Sequence, residues 1–164
     1  MLSIQKNKLH FCWRKVYIMA QKLKLAILTG GSSAESEVSL KSARVVLENL
    51  DSQKYDTHFV DMSSFPWQVK DAQGKLYDLD LNTFGIAGIN HQYEFAFLAI
   101  HGTPAEDGKV QGYLDLMGVP YSSCSVLASA ITFDKDITKQ LLKEIAIPLA
   151  KSLLITKSNG LNIQ

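Results

Sequence analysis

The stretch that decides the fold is Phe95-Ala96-Phe97-Leu98-Ala99-Ile100-His101-Gly102-Thr103-Pro104-Ala105-Glu106-Asp107-Gly108-Lys109-Val110-Gln111-Gly112. Its first six residues form an unbroken apolar run, the pattern of a strand buried on both faces. A histidine ends the run and opens a loop carrying glycines and two adjacent carboxylates. A helical pattern follows over residues 110–117. Strand, polar loop and helix in that order make the repeating unit of a parallel α/β sheet, which places its ligand sites at the carboxyl ends of the strands. His101 and Gly102 stand where such a site would be.

Working outward, the same alternation continues on both sides. Residues 23–28 read as a first strand, leading into Thr29-Gly30-Gly31-Ser32-Ser33-Ala34-Glu35-Ser36-Glu37-Val38-Ser39-Leu40. Val38, Ala43, Val46, Leu47 and Leu50 recur at helical spacing, so residues 38–50 predict a helix with one buried face. Residues 58–61 read as a second strand. Residues 63–92 are polar and turn-rich, with room for a small hairpin. After Met117, Gly118-Val119-Pro120-Tyr121 ends a helix and enters a short strand. Helices are expected over 125–132 and 134–144, the second capped by Asp134. Pro148 stops it, and residues 149–155 read as a further strand. The alternation implies a parallel sheet with helices on both faces.

Composition excludes several classes. The 164 residues are 46% hydrophobic with a net charge of +1, which describes an ordinary globular chain. Lys6, Lys8, Arg14 and Lys15 lie in an acid-free start, leaving 13 basic against 16 acidic side chains in the rest. A mildly acidic body gives no reason to invoke nucleic acid or a membrane surface. Arg14 and Lys15 interrupt the apolar residues of the start, which argues against a secretory signal. We expect residues 1–18 to be a dispensable basic extension, with the natural start at Met19. Cys12 and Cys124 have neither metal nor redox spacing and read as reduced, cytoplasmic thiols.

Individual residues leave alternatives open. Ser32-x-x-Glu35 fits a helix capping box, yet a carboxylate at the mouth of a glycine loop also suits a substrate ammonium group. Val38 is either packing or a ligand contact. His101 is either a hydrogen-bonded structural residue or a group that handles developing charge near neutral pH. Glu106 and Asp107 fit the role of loop anchors that bond backbone amides. Lys135, in the first turn of a helix, faces the positive end of the dipole and is either solvated or paired with an anion such as phosphate. No metal site and no nucleophile is indicated. A dinucleotide-binding domain is disfavoured by the missing GxGxxG, although Asp61 could end a second strand. A non-catalytic module that binds a small molecule or dimerises stays open.

The stretch 101–112 resembles the first signature of the D-alanine–D-alanine ligases, and the Gly30–Ser39 loop resembles the opening loop of the same enzymes. Leu127-Ala128-Ser129-Ala130 through Asp134-Lys135 resembles their next segment. The resemblance runs from about residue 23 to residue 155. It implies a three-layer Rossmann-like parallel sheet of the pre-ATP-grasp type over residues 19–133, followed by the beginning of an ATP-grasp region over 134–164. It implies an enzyme that joins two D-alanines, with ATP going to ADP and phosphate, for peptidoglycan precursor synthesis. Glu35 then holds the amino group of the first D-alanine, and Val38, Ser39 and Gly102 complete its site. His101 lies beside the reacting carboxyl group, and Lys135 contacts the nucleotide. Ala105 stands where the family usually has glycine, with strain expected if that position is left-handed. ATP and Mg2+ are implied, but the family's magnesium ligands and transition-state arginine lie beyond Gln164, so this chain alone is expected to be inactive. A cytoplasmic homodimer is expected, and the motifs leave open whether the second substrate is D-alanine, D-lactate or D-serine.

Overall fold

Strand β1 (Leu23–Thr29) is the one from which the sheet grows, and its last five residues are all buried. The computed structural model describes residues 21–145 and 147–155. β1 pairs in parallel with β2 (Tyr55–Asp61) on one side and β6 (Phe95–Leu98) on the other. Beyond β2 the sheet continues antiparallel through β3 (Gln68–Lys70), β4 (Leu76–Asp80) and β5 (Gly85–Ile86), giving the order β5-β4-β3-β2-β1-β6. The class is α/β as the alternation implied, but the sheet is mixed. Residues 63–92 supply three short strands where a small hairpin was expected. Their connections are too short for a crossover, and short links can only join antiparallel neighbours.

Helices cover both faces. The two-residue period of β1 sends Ala26 and Leu28 to one layer and Ile27 to the other. On the first side lie Val110 and Leu114 of α2 (Lys109–Met117), packed with Val60, Val69, Leu79 and Phe84. On the second side, Ala43 and Val46 of α1 (Ser36–Asn49) pack with Ile27, Phe59, Phe97 and Ala99. The α1 stripe starts at Ser39, not Val38: Ser39 and Ala43 are buried, whereas Val38 is 48% exposed. Residues 39, 43, 46 and 50 keep helical spacing, so a serine takes the place the expected stripe gave to valine.

Two further helices follow, α3 (Val126–Phe133) and α4 (Lys135–Lys143). Asp134 ends the first and caps the second, its Oδ1 accepting from the Asp136 and Ile137 amides at 3.0 Å each. Tyr121 makes a single parallel bridge to Ala96 beside the outer strand β6. Residues 149–155, expected as a strand, carry no regular secondary structure; a strand exists only through a partner's ladder, and no described strand pairs with them. The proposed extension 1–18 and the last nine residues of the expected ATP-grasp beginning lie outside the described residues. No helix among the described residues is long and apolar enough to cross a membrane.

Candidate active site

Because β1 and β6 are parallel neighbours, the loops after them emerge together at one edge. Three glycines let those loops touch. Gly31 sits at φ +94°, and a Cβ there would lie 2.9 Å from Ile100 Cγ2 and 3.0 Å from the Thr103 carbonyl oxygen. Gly102 sits at φ +76°, where a Cβ would lie 2.8 Å from Ser33 Oγ and 3.4 Å from Glu35 Oε2. Gly30, at φ +79°, turns the chain out of β1. Such backbone angles suit glycine and penalise any Cβ.

Two serines stitch the loops. Ser33 Oγ donates to the His101 carbonyl at 2.9 Å and accepts from the Glu35 amide at 3.2 Å. Ser39 Oγ accepts from the His101 amide at 2.9 Å and donates to the Glu35 carbonyl at 3.2 Å. Ser39 is fully buried and its hydroxyl is used by the protein, so it positions Glu35 and His101 instead of meeting a ligand itself. Ser39→Ala strips the His101 amide of its acceptor and is expected to cost about 1–3 kcal/mol. Urea unfolding checks this, and a loss within a few tenths would show that the stitch is not what holds the loops.

The capping alternative for Glu35 is not realised. Glu35 is itself the N-cap residue of α1, and its side chain makes no cap hydrogen bond. The carboxylate instead lines an open cleft of about 670 Å³, together with Gly102, Glu106, Ser123, Phe133 and Lys135. Lys135 is the first residue of α4, and its side chain makes no hydrogen bond or ion pair among the described residues. Glu35 and Lys135, 100 positions apart in the sequence, therefore share one cavity.

His101 stands at the same edge, but its ring turns toward α1, with Nε2 3.1 Å from Ser42 Oγ, and is not among the cleft walls. Val38 is exposed on α1 and, like His101, is not among the cleft walls. Ala105 is buried without strain, since Phe84 is the only non-glycine with positive φ among the described residues. Asp107 anchors the loop as expected, accepting from Thr103 Oγ1 and from the Lys109 amide and ammonium. Burial alone would raise its carboxyl, yet those hydrogen bonds outweigh it and hold the group below the usual range. Glu106 does not share that role: it lines the cleft, and its carboxylate makes no hydrogen bond among the described residues.

Gln111 was not anticipated. It is fully buried, and its amide nitrogen lies within reach of the Ala105 carbonyl and of the hydroxyls of Ser123 (2.9 Å) and Ser129 (3.3 Å), three acceptors for its two N–H groups, all from residues that line the cleft. A single glutamine beside Val110 and Leu114 carries no spacing signal that separates this brace from a surface residue. Among the described residues no three His, Cys, Asp or Glu side chains gather into a metal site.

Comparison with known proteins agrees with this geometry. Residues 24–124 match the family described as D-ala D-ala ligase N-terminus, which is more than half of the chain. The D-alanine--D-alanine ligase of Phocaeicola vulgatus is 43% identical over 138 residues, covering 83% of this chain and 43% of that protein. The crystal structure of the Aeromonas hydrophila D-alanine-D-alanine ligase superposes with a TM-score of 0.72 at 32% identity, covering 84% of this chain and 52% of that one. The Bacillus anthracis D-alanine--D-alanine ligase complexed with ATP gives 0.65 at 31% identity, covering 85% and 43%. The chain thus spans a little under half the length of the curated relatives it matches. By this match and by the two loops at the sheet edge, the chain belongs to the D-alanine–D-alanine ligase family and carries the N-terminal region of that fold.

Proposed function

We propose that this chain supplies the first-substrate half of an ATP-dependent D-alanine–D-alanine ligase site. The observation that carries the reading is the shared cleft, with an uncapped carboxylate at Glu35, the left-handed Gly102 beside it, and an unpaired cation at Lys135. Glu35 pairs with the ammonium of D-alanine, and the Gly102 loop accommodates its backbone atoms. Ser39 holds the two loops in register. His101, whose ring Ser42 holds toward α1, shapes the site through its backbone amide and carbonyl, which the two serines tie to the Glu35 loop. Lys135 and the positive end of α4 hold nucleotide phosphate, in keeping with an ATP complex among the solved relatives.

In the complete reaction, a D-alanine carboxylate oxygen takes the terminal phosphoryl group of ATP and ADP leaves. The amine of a second D-alanine attacks the resulting acyl phosphate, inorganic phosphate departs, and the amine loses a proton. The dipeptide is of the kind used in peptidoglycan precursors. These side chains contribute positioning and charge complementarity, the main terms in phosphoryl transfer. A homodimer working in the cytoplasm goes with the same reading.

The test is direct binding of D-alanine to this chain, followed by amide chemical shifts at Gly102 and Lys135. Loss of a charge-assisted contact worth about 1.5–3 kcal/mol should weaken binding by roughly 10- to 150-fold in Glu35→Gln. L-alanine should bind more weakly than D-alanine. Equal binding by Glu35→Gln, or shifts confined to other surfaces, would overturn the assignment.

A further inference from the structure

Two adjacent serines, Ser122 and Ser123, line the cleft with Glu35 and Lys135, and each is held from behind. The segment that carries them is pinned to β6: the Ala96 amide donates to the Pro120 carbonyl at 3.0 Å, and the Ser122 amide to the Ala96 carbonyl at 3.0 Å. Ser122 Oγ accepts from the Leu98 amide at 3.0 Å. Behind Ser123 stands the buried Gln111, and the orientation of its amide is forced. The Ala105 carbonyl beside Nε2 can only accept, so the nitrogen and not the oxygen faces it. Of the two N–H groups on Nε2, Ala105 takes one. Ser123 Oγ at 2.9 Å is better placed for the other than Ser129 Oγ at 3.3 Å.

An amide nitrogen can only donate, so both serine oxygens are acceptors in these contacts. A hydroxyl that accepts still has its own hydrogen to give. Neither Ser122 nor Ser123 gives that hydrogen to an acceptor among the described residues. Both residues are exposed, and with the inner side of each oxygen occupied the hydrogen is left for the open side, into the cleft. The charges there decide what it meets. Glu35 and Glu106 against Lys135 leave the cleft one negative charge in excess. An anionic group entering it finds a single cation and needs neutral donors as well. Donors already fixed by the protein supply them without reorganisation when the anion arrives.

We infer that Ser122 and Ser123 form a pair of hydroxyl donors for a ligand oxyanion, a carboxylate or a phosphoryl group. The identity of the ligand rests on the ligase reading: the carboxylate of D-alanine is one source, and nucleotide phosphate beside Lys135 is the other. Gln111 is a positioning residue. It fixes the Ser123 hydroxyl from the core and is not itself a cleft wall.

The experiment titrates the full chain with D-alanine, D-alaninamide and inorganic phosphate, each alone, and follows the Gln111 side-chain amide resonances, which should shift as Ser123 engages the ligand. Ser122→Ala and Ser123→Ala should each weaken an oxyanion ligand roughly tenfold, the effect of losing one donor to a charged acceptor. Ser122→Thr and Ser123→Thr keep the hydroxyl and should bind nearly as the parent does. D-alaninamide keeps the ammonium but presents a neutral end, so the alanine variants should lose several times less for it. That contrast separates a missing donor from a damaged cleft, which would weaken both ligands alike. A loss for D-alanine identifies the carboxylate as the source, and a loss confined to phosphate identifies the phosphoryl group. Ser122→Ala leaves Gln111 its partner, which keeps the test decisive if Ser123→Ala fails to fold. Oxyanion binding unchanged in the alanine variants, equal losses for D-alanine and D-alaninamide, or a parent chain that binds neither D-alanine nor phosphate would overturn the proposal. The ligase reading fails separately, through D-alanine binding that Glu35→Gln leaves intact, and the phosphate titration would then still decide the role of the serines.

Discussion

Phe84→Ala is expected to destabilise the chain by about 3–5 kcal/mol, the range for deleting a fully buried aromatic ring. Phe84 is 0% exposed and sits in the layer beneath α2. Its ring meets Tyr93 edge-on at 5.5 Å and Tyr113 at 6.0 Å between centroids, and such pairs add about 0.5–1.5 kcal/mol beyond area burial. Phe84 also sits at φ +49°, an unusual angle for a bulky residue. Alanine would keep the backbone cost while discarding the ring that offsets it. Glycine at the same position should relieve the angle and still lose the packing, falling near alanine. Urea unfolding with an unchanged slope would measure the loss. A cost below about 1 kcal/mol would be inconsistent with a closed core at this point.

Phe84 also shows what the sequence hides. It lies in Asn82-Thr83-Phe84-Gly85, a run that reads as a turn, and it is a turn. The turn is folded inward, so its aromatic residue completes the core while the chain reverses. Strands β3 and β5 are three and two residues long, too short for an alternation to register, and only Val69 of β3 is buried. Antiparallel extension of the sheet was therefore illegible beyond the hint of a hairpin. β1, α2 and α4 were legible because each has a long apolar period, a punctuating glycine or a capping aspartate. In α1 the pattern misled at one position, since Ser39 fills an apolar slot by giving its hydroxyl to two backbone groups.

The site was legible as a pair of loops and less so as side-chain directions. Parallel neighbours must bring the loops after β1 and β6 to one edge, so Glu35 and His101 had to be near each other. Spacing could not say which way either side chain turns. Whether Glu35 caps α1 depends on where the helix starts, and it starts one residue after Glu35 itself. His101 follows its strand as expected but gives Nε2 to Ser42, a partner that no motif marks. Lys135 was readable because Asp134 fixes the helix start and leaves the next residue at its positive end.

Gly31→Ala tests the meeting of the loops, and Gly88→Ala is its internal control. Both glycines are left-handed, at φ +94° and +79°, so each alanine should cost about 1–2 kcal/mol in backbone strain. They differ in what a Cβ would meet. At Gly88 nothing lies within 4 Å, whereas at Gly31 the Cβ would press on Ile100 Cγ2 at 2.9 Å and the Thr103 carbonyl at 3.0 Å. Overpacking of that kind adds about 1–3 kcal/mol, so Gly31→Ala should lose roughly 2–5 kcal/mol in total. The backbone oxygen cannot rotate away as a flexible side chain would, so relief requires the loop after β6 to move off the loop after β1. That movement would pull Gly102 from Glu35 and open the cleft, and D-alanine binding should fall in Gly31→Ala at a temperature where both variants remain folded. Gly88→Ala, distant from the cleft, should bind as the parent does. Equal stability losses in the two variants would mean that the loops do not touch at Gly31. Unimpaired binding by a destabilised Gly31→Ala would separate the cleft from the contact that is argued here to shape it.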